Sequence, residues 1–182
     1  MSEQDRECSQ RHKQESTQTE SWRERLRAGE AIAVAADHGG WALFQPLVAL
    51  LEGGGYQVLS FSPPLKEGVA SRCDYPLQVE PALDALSTGQ ACCALLICGS
   101  GVGVSIAANR RRGIRAVLAH DPYIAKLSRA HNDANVLCLG ARLCGPAMAE
   151  ETLSAFLSGT FDGGRHQQRV ALLDRPEKQG EV

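Results

Sequence analysis

One short segment of the sequence combines a thiol, a hydroxyl and three glycines. Cys98 ends the apolar run 94–97, and Gly99, Ser100, Gly101 and Gly103 follow it. A strand, a glycine loop and a helix in this order direct backbone N–H groups and a helix N-terminus at an anion. Positive potential at a helix N-terminus also favours a thiolate. The pattern therefore predicts that Cys98 acts as a base or a nucleophile beside a bound anion.

Two structural roles compete with this chemical interpretation. Glycines after a strand often serve only a tight turn and close helix packing. A cysteine at a strand end often packs as a small apolar side chain. The segment alone leaves both possibilities open, so the other polar residues near strand ends must decide between them.

Composition limits the class of protein. The chain has 182 residues, which suits one domain, with 43% hydrophobic and 22% charged residues. A net charge of −2 gives no general attraction to nucleic acid or to an anionic membrane. No stretch approaches the roughly 20 apolar residues of a transmembrane helix, and the N-terminus lacks the apolar segment of a secretory signal. We therefore expect neither nucleic acid nor membrane as a partner.

The cysteines indicate a reducing compartment and no metal. There are seven, an odd number, without a CxxC pair, and most lie in apolar surroundings. Buried reduced thiols in a cytoplasmic protein explain this pattern better than a disulfide framework. No Cys/His spacing matches a zinc site, so we expect no metal and no cofactor.

Apolar runs and helix signals alternate along the chain. The predicted strands are 31–36, 56–61, 91–97, 115–119 and 136–139. The predicted helices are 41–52, 75 to about 88, one that follows the glycine loop and ends at about 111, 122 to about 130, and 147–158. This alternation predicts an α/β fold with three α/β/α layers around a Rossmann-like, five-stranded, mostly parallel sheet. Residues 30–174 form the predicted domain. Residues 1–29 are an expected disordered or loosely attached extension, with a short helix through Trp22 and Leu26, and 175–182 a frayed tail.

Polar residues follow the predicted strands at their carboxyl ends, where ligands bind in such sheets. Asp37 and His38 follow the first strand, Cys98 and the glycines follow the third, and Asp121 follows the fourth. His131 lies apart, in a dense polar cluster after the fourth helix. The agreement between the fold rule and these positions favours a functional site.

Five ordered motifs together resemble the ribose-5-phosphate isomerase B family, which includes the galactose-6-phosphate isomerase subunits. They are Asp37-His38-Gly39, Asp74-Tyr75-Pro76, Cys98 to Gly103 with Asn109, Leu127 to Asp133, and Gly164 to Arg169. The resemblance covers about residues 31–174. It implies isomerisation of a phosphorylated aldose to a ketose without a metal, with ribose 5-phosphate and ribulose 5-phosphate as the expected pair. The implied route is ring opening followed by a cis-enediolate.

The resemblance also implies residue roles. Cys98 would remove the C2 proton, Ser100 would move protons on the sugar oxygens, and His131 would assist ring opening with Asp37 close by. Backbone amides would stabilise the enediolate, and other residues would hold the substrate. The implied binding residues are His38, Arg165 and Arg169 for the phosphate, Tyr75 and Asn132 for the sugar, and Gly99, Gly101, Val102 and Gly103 for the enediolate. Family members are homodimers or homotetramers with sites where two subunits meet, and we expect the same here.

Alternatives remain open. The substrate could be a six-carbon aldose phosphate such as allose or galactose 6-phosphate, because the segment 62–73 is longer than usual near the expected site. The chain could be a non-catalytic sugar-phosphate-binding module, or half of a two-subunit isomerase. A Rossmann oxidoreductase is disfavoured, because Val104 occupies the third glycine position of a dinucleotide fingerprint. Val104 also stands where another branch of the family has a glutamate, which places this sequence with the cysteine type.

Overall fold

The computed structural model describes residues 26, 29–62, 65–66 and 69–175. The predicted helix through Trp22 lies outside these residues, except at Leu26. So do most of the predicted extension and nearly all of the predicted tail. Leu26 is buried in the hydrophobic core with 7% of its surface exposed. A residue that packs in the core thus lies before the predicted domain boundary at residue 30. The boundary itself stays a prediction.

Seven strands and six helices lie within the described residues. The strands are β1 (Ala31–Ala36), β2 (Val58–Phe61), β3 (Leu65–Lys66), β4 (Val69–Ala70), β5 (Ala91–Cys98), β6 (Ala116–Leu118) and β7 (Val136–Gly140). The helices are α1 (Trp41–Gly53), α2 (Tyr75–Ser87), α3 (Val102–Asn109), α4 (Pro122–Asn132), α5 (Pro146–Ser158) and α6 (Arg165–Leu173).

The main sheet confirms the predicted fold class. Five strands pair in the order β2-β1-β5-β7-β6, and every pairing is parallel. The predicted strands and helices are present within a few residues of their expected bounds. Two elements were not predicted: the antiparallel pair β3–β4 and helix α6. Both are short, and their sequences lack a long apolar period.

Side chains on the buried strands alternate between two hydrophobic layers. Ile32 and Val34 of β1 face one layer, which α1, α4 and α5 cover. Ala33 and Ala35 face the other, which α2 and α3 cover. This two-residue period is that of a strand buried on both faces. The helices therefore hold the sheet from both sides and leave its two ends available for a site.

Local signals fix where the helices begin. The Asp121 carboxylate accepts a hydrogen bond from the Ile124 N–H at 2.8 Å, and Pro122 occupies the first helical position of α4. This pairing of an N-cap aspartate with a proline is a strong helix start. Among the described residues, no helix has the length and apolar character needed to cross a membrane.

Candidate functional site

The carboxyl ends of β1 and β5 lie side by side at the centre of the sheet. After β1 the chain moves outward to β2, and it then returns to β5 on the other side of β1. Ala36 pairs with Ile97, and the Asp37 N–H donates to the Ile97 carbonyl at 3.2 Å. Asp37 and Cys98 therefore stand next to each other at a topological switch point, where parallel α/β sheets form their ligand crevice.

The glycine loop folds back over the Cys98 sulfur. The Gly101 N–H donates to Cys98 Sγ at 3.1 Å. Gly101 has a left-handed backbone with φ of 77°, which a residue without a Cβ adopts at little cost. Although Cys98 is only 5% exposed, its sulfur faces the loop that the sequence predicts to be the anion site.

The loop that follows Cys98 carries further backbone donors. The N–H groups of Gly99 and Ser100 make no hydrogen bond to any residue in the described ranges. Ser100 is exposed, and its Oγ accepts from the Val102 N–H at 3.3 Å. Val102 and Gly103 form the first turn of α3, whose N–H groups point out of the helix end. The loop can therefore offer several N–H donors to one negatively charged oxygen.

Asp37 and His38 are held on the other side of the same crevice. Asp37 is buried, and its carboxylate accepts from the Gly40 N–H at 2.8 Å. His38 is half-buried, and its Nδ1 lies 3.2 Å from the Cys73 carbonyl oxygen. The Cys73 N–H also lies 3.4 Å from this nitrogen, so the Cys73 backbone engages Nδ1 in either tautomer, and Nε2 is left as the ring atom for a ligand.

Tyr75 and Arg142 complete this end of the site. A Cβ on Gly103 would lie 2.6 Å from Tyr75 Cζ, and a Cβ on Gly99 would lie 2.8 Å from Arg142 Cζ. Both side chains therefore rest directly on the glycine loop. Sequence reasoning gave Arg142 no role, although Arg142 comes three residues after the fifth predicted strand, where a charged residue is a usable signal. We call Asp37, His38, Tyr75, 98–103 and Arg142 the carboxyl-end cluster.

The other predicted site residues lie at the opposite edge of the sheet. His131 and Asn132 are the last residues of α4, while Arg165 and Arg169 lie on successive turns of α6. Asn132 and both arginines are exposed. Because α6 is a helix, the i, i+4 spacing places the two arginines on one helix face. This pair and the α4 end thus form a second polar surface.

His131 and His166 join these two helices. Their rings stack in parallel, with centroids 4.3 Å apart and planes 1° apart. Burial lowers the pKa of the His166 imidazole, and the charges of His131, Arg165 and Arg169 lower it further, while Asp162 opposes them. Sequence reasoning quoted His166 within a motif but gave it no role. We call His131, Asn132, Arg165, His166 and Arg169 the amino-end cluster.

Within one chain the two clusters remain apart. Asn135 lies next to the amino-end cluster in the chain, and its backbone carbonyl accepts a hydrogen bond from the Ala94 N–H of β5 at 3.0 Å. Cys98 is four residues further along β5, which is about 13 Å at the usual strand rise. Helix α4 also packs against one face of the sheet, while Cys98 belongs to the other. The structure therefore brings together the predicted residues of each cluster, but not the two clusters with each other.

Asp121 and Cys138 lie outside both clusters. The Asp121 carboxylate caps α4, so its described contact is structural. Burial raises the pKa of the Cys138 thiol, and the neighbouring Cys98 raises it further. Cys138 thus stays a neutral thiol beneath the loop. Within the described part of the chain, no group of three or more His, Cys, Asp or Glu side chains could hold a metal ion.

The chain was compared with known proteins. The family model described as Ribose/Galactose Isomerase matches residues 32–173. Ribose-5-phosphate isomerase B of Escherichia coli is 42% identical over 147 residues, covering 81% of this chain and 96% of that protein. A D-erythrulose-4-phosphate isomerase of Pectobacterium atrosepticum is 34% identical over 149 residues, which cover 82% of this chain and 96% of that protein. The structure of ribose-5-phosphate isomerase B of Clostridium thermocellum superimposes with a TM-score of 0.74 at 38% identity. The superposition covers 79% of this chain and 95% of that one.

Proposed function

The chain belongs to the ribose/galactose isomerase family, and we propose that it interconverts ribose 5-phosphate and ribulose 5-phosphate. Family membership makes it a sugar-phosphate isomerase, as the resemblance of its motifs implied. The observation that carries the finer proposal is the carboxyl-end cluster, in which a thiol and several N–H donors lie in one loop at the end of β5. The identity to ribose-5-phosphate isomerase B over nearly its full length supports the five-carbon substrate.

The proposed reaction moves one proton between two carbons of the opened sugar. The Cys98 thiolate removes the proton from C2, and the electron pair of that bond forms the C1–C2 double bond of an enediolate. The thiol then returns a proton to C1, so no proton or electron is gained or lost overall. The negative oxygen of the enediolate is the charge that the loop N–H groups of 99–103 would stabilise, at a few kcal/mol per donor.

Ser100 and His131 are proposed to handle protons on oxygen. The Ser100 hydroxyl lies at the exposed front of the loop, where it can pass a proton between the C1 and C2 oxygens. Ring opening needs a proton at the ring oxygen and removal of one from the C1 hydroxyl. We assign this step to His131, with Asp37 beside the opened chain.

The two clusters would meet across a pair of subunits. Since about 13 Å of strand separates them in one protomer, a complete site needs the amino-end cluster of a second copy. This argument supports a homodimer, or a tetramer built from dimers. Arg165, Arg169, His38 and Arg142 would then surround the phosphate, a match that guanidinium groups make well. Tyr75 and Asn132 would line the sugar.

The substrate alternatives differ in chain length. A relative named for D-erythrulose 4-phosphate shows the family name alone does not fix the sugar. The segment 62–73, which contains the β3–β4 pair, precedes Tyr75 and could accommodate a six-carbon aldose phosphate. We favour ribose 5-phosphate and keep allose or galactose 6-phosphate as the second candidate.

None of the six described cysteines forms a disulfide, which supports the cytoplasm as the proposed location.

A substrate panel tests the proposal. Purified protein is incubated in D₂O with EDTA and one of ribose 5-phosphate, allose 6-phosphate, galactose 6-phosphate or erythrose 4-phosphate. We expect ketose formation to be fastest with ribose 5-phosphate, with deuterium entering at C1 of the ketose when the base exchanges with solvent. A higher kcat/KM for another sugar would replace the substrate. No ketose from any of the four would overturn the activity.

A further inference from the structure

Arg115 lies between the ends of two helices at the amino-end edge of the sheet. It directly precedes β6, and its side chain is 16% exposed. One guanidinium nitrogen donates to Asp133 Oδ2 at 2.9 Å, and the other donates to the two carboxylate oxygens of Asp174 at 3.2 and 3.1 Å. Asp133 follows α4 and Asp174 follows α6. A single side chain thus joins the carboxyl ends of both helices.

Arg115 also satisfies the backbone at the end of α4. Its Nε donates to the carbonyl oxygens of Asn132 and Asp133, at 3.1 and 3.0 Å. Helix ends leave carbonyls that need such donors, and a cation there interacts well with the helix dipole. Asp133 has φ of 46°, so the chain turns sharply at this point. These bonds fix the turn directly after His131 and Asn132.

A second arginine holds the same turn from inside the protein. Arg129 is 1% exposed, and its Nη1 donates to Asp133 Oδ1 at 2.8 Å and to the Ala134 carbonyl at 2.6 Å. Asp133 therefore has one carboxylate oxygen on each arginine. Arg129 thus binds the end of α4 to the core, and Arg115 joins that end to Asp174 after α6.

Helix α6 has few other attachments. His166 is its one buried residue, and that ring stacks on His131. Beyond this stack near its first turn, the described contacts that hold its last turn are those between Asp174 and Arg115. Arg169 lies between these two points, and Arg165 lies directly before the stacked His166. Their orientation therefore depends on both attachments.

We propose that Arg115 is a positioning residue for the isomerase site, acting through Asp133 and Asp174. It sets the angle between α4 and α6, so that His131, Asn132, Arg165 and Arg169 present one surface to the partner subunit's substrate. The proposal rests on the proposed function of the amino-end cluster. Arg115 itself does not touch substrate.

Because the Asp174 carboxylate is partly exposed, its effect on substrate binding can be measured separately from its effect on the stability of the fold. The Asp174 side chain is 40% exposed, and partly exposed ion pairs contribute little to the free energy of unfolding. Loss of the Asp174 carboxylate should therefore leave the melting temperature nearly unchanged. A misaligned pair of phosphate ligands is costly, since small displacements of binding groups weaken substrate interactions strongly.

The test compares Asp174→Asn with Asp174→Glu, which retains the carboxylate, and with Asp84→Asn. Asp84 pairs with Arg111, and none of the described side-chain bonds joins this pair to Arg115, Asp133 or Asp174. We expect Asp174→Asn to raise KM about tenfold with kcat within about twofold, and to speed hydrogen exchange of the α6 amides. Asp174→Glu should recover most of the wild-type KM, and Asp84→Asn should change neither quantity.

Two results would overturn the positioning role. One is an unchanged KM in Asp174→Asn. The other is a KM increase without faster exchange in α6, because the residue would then act by charge alone. If the wild-type chain forms no ketose, the proposed function fails separately. In that case the affinity for inorganic phosphate, measured by calorimetry, replaces KM, and an equal affinity in wild type and Asp174→Asn overturns the positioning role.

Discussion

The Cys98 sulfur accepts a hydrogen bond from the N–H of Gly101, three residues further along the chain. The sulfur is the electron-rich partner in this bond, which is the role that a base requires. The bond also ties the sulfur to the loop whose other N–H groups face the crevice. The proposed base and the proposed anion site therefore belong to one local structure, built on the end of β5.

The Gly101 backbone is the first point to test. A Cβ there would lie 2.4 Å from Leu118 Cδ1 and 2.9 Å from the Leu139 carbonyl carbon, and φ is 77°. We expect Gly101→Ala to lower the free energy of unfolding by at least about 3 kcal/mol, from strain and overpacking together. Urea unfolding measures this, and kcat should fall as the loop shifts from Cys98.

Gly113 provides the control for that substitution. It has φ of 75°, but no atom lies within 4 Å of its Cβ position. Gly113→Ala should therefore cost only about 1 kcal/mol of backbone strain. Equal losses in the two variants would show that the tight packing at Gly101 is unimportant.

Arg142 should contribute to binding of the phosphate. Its guanidinium rests on Gly99 at the mouth of the crevice. We expect Arg142→Met to raise KM for ribose 5-phosphate by about tenfold or more. The control Arg112→Met removes an exposed arginine that belongs to neither cluster, and it should leave KM unchanged. Steady-state kinetics distinguish the two. An unaltered KM in Arg142→Met would remove this residue from the site.

Much of this arrangement could be predicted from the sequence. The apolar runs of β1, β5 and β7 and the Asp121-Pro122 helix start are local signals, and they fixed the fold. The carboxyl-end residues followed because parallel strands end at one edge. The stacking of His131 on His166 and the contact of Arg142 with Gly99 could not be predicted, because they join distant segments through packing. The meeting of the two clusters across subunits, which the resemblance implies, also could not be derived from one sequence, because it depends on the position of a second chain.

His166 should make stability depend on pH. Its pKa is lowered in the folded protein by burial and by His131, Arg165 and Arg169, with Asp162 opposing. The unfolded chain therefore binds a proton more readily, so the free energy of unfolding falls as pH drops below the ordinary histidine pKa of about 6.5. Above that pH the contribution is fully present.

A variant isolates the histidine contribution. Chemical unfolding of wild type and His166→Asn at several values between pH 5 and 8 compares the slopes of stability against pH. We expect the variant to have the smaller slope on the acidic side. If the two slopes are the same, protonation of His166 does not contribute to the loss of stability.

A mixing experiment tests the shared site. Cys98→Ala damages the carboxyl-end cluster and Arg169→Met the amino-end cluster, so each homodimer should have low activity. When the two are refolded together, half of the dimers are mixed and each has one intact site, which predicts about a quarter of wild-type activity. Activity no higher than that of the separate variants would place both clusters in one protomer or in unrelated sites.

The role of Cys98 is the central claim, and one comparison tests it most directly. Cys98→Ala and Cys138→Ala each remove one thiol from the same layer of the core, but only Cys98 faces the glycine loop. We predict that Cys98→Ala lowers kcat by at least about 10³-fold while calorimetry shows that ribose 5-phosphate still binds. Cys138→Ala should keep kcat within about tenfold of wild type. Isomerase turnover in Cys98→Ala near the wild-type rate would contradict the claim that this thiol is the base.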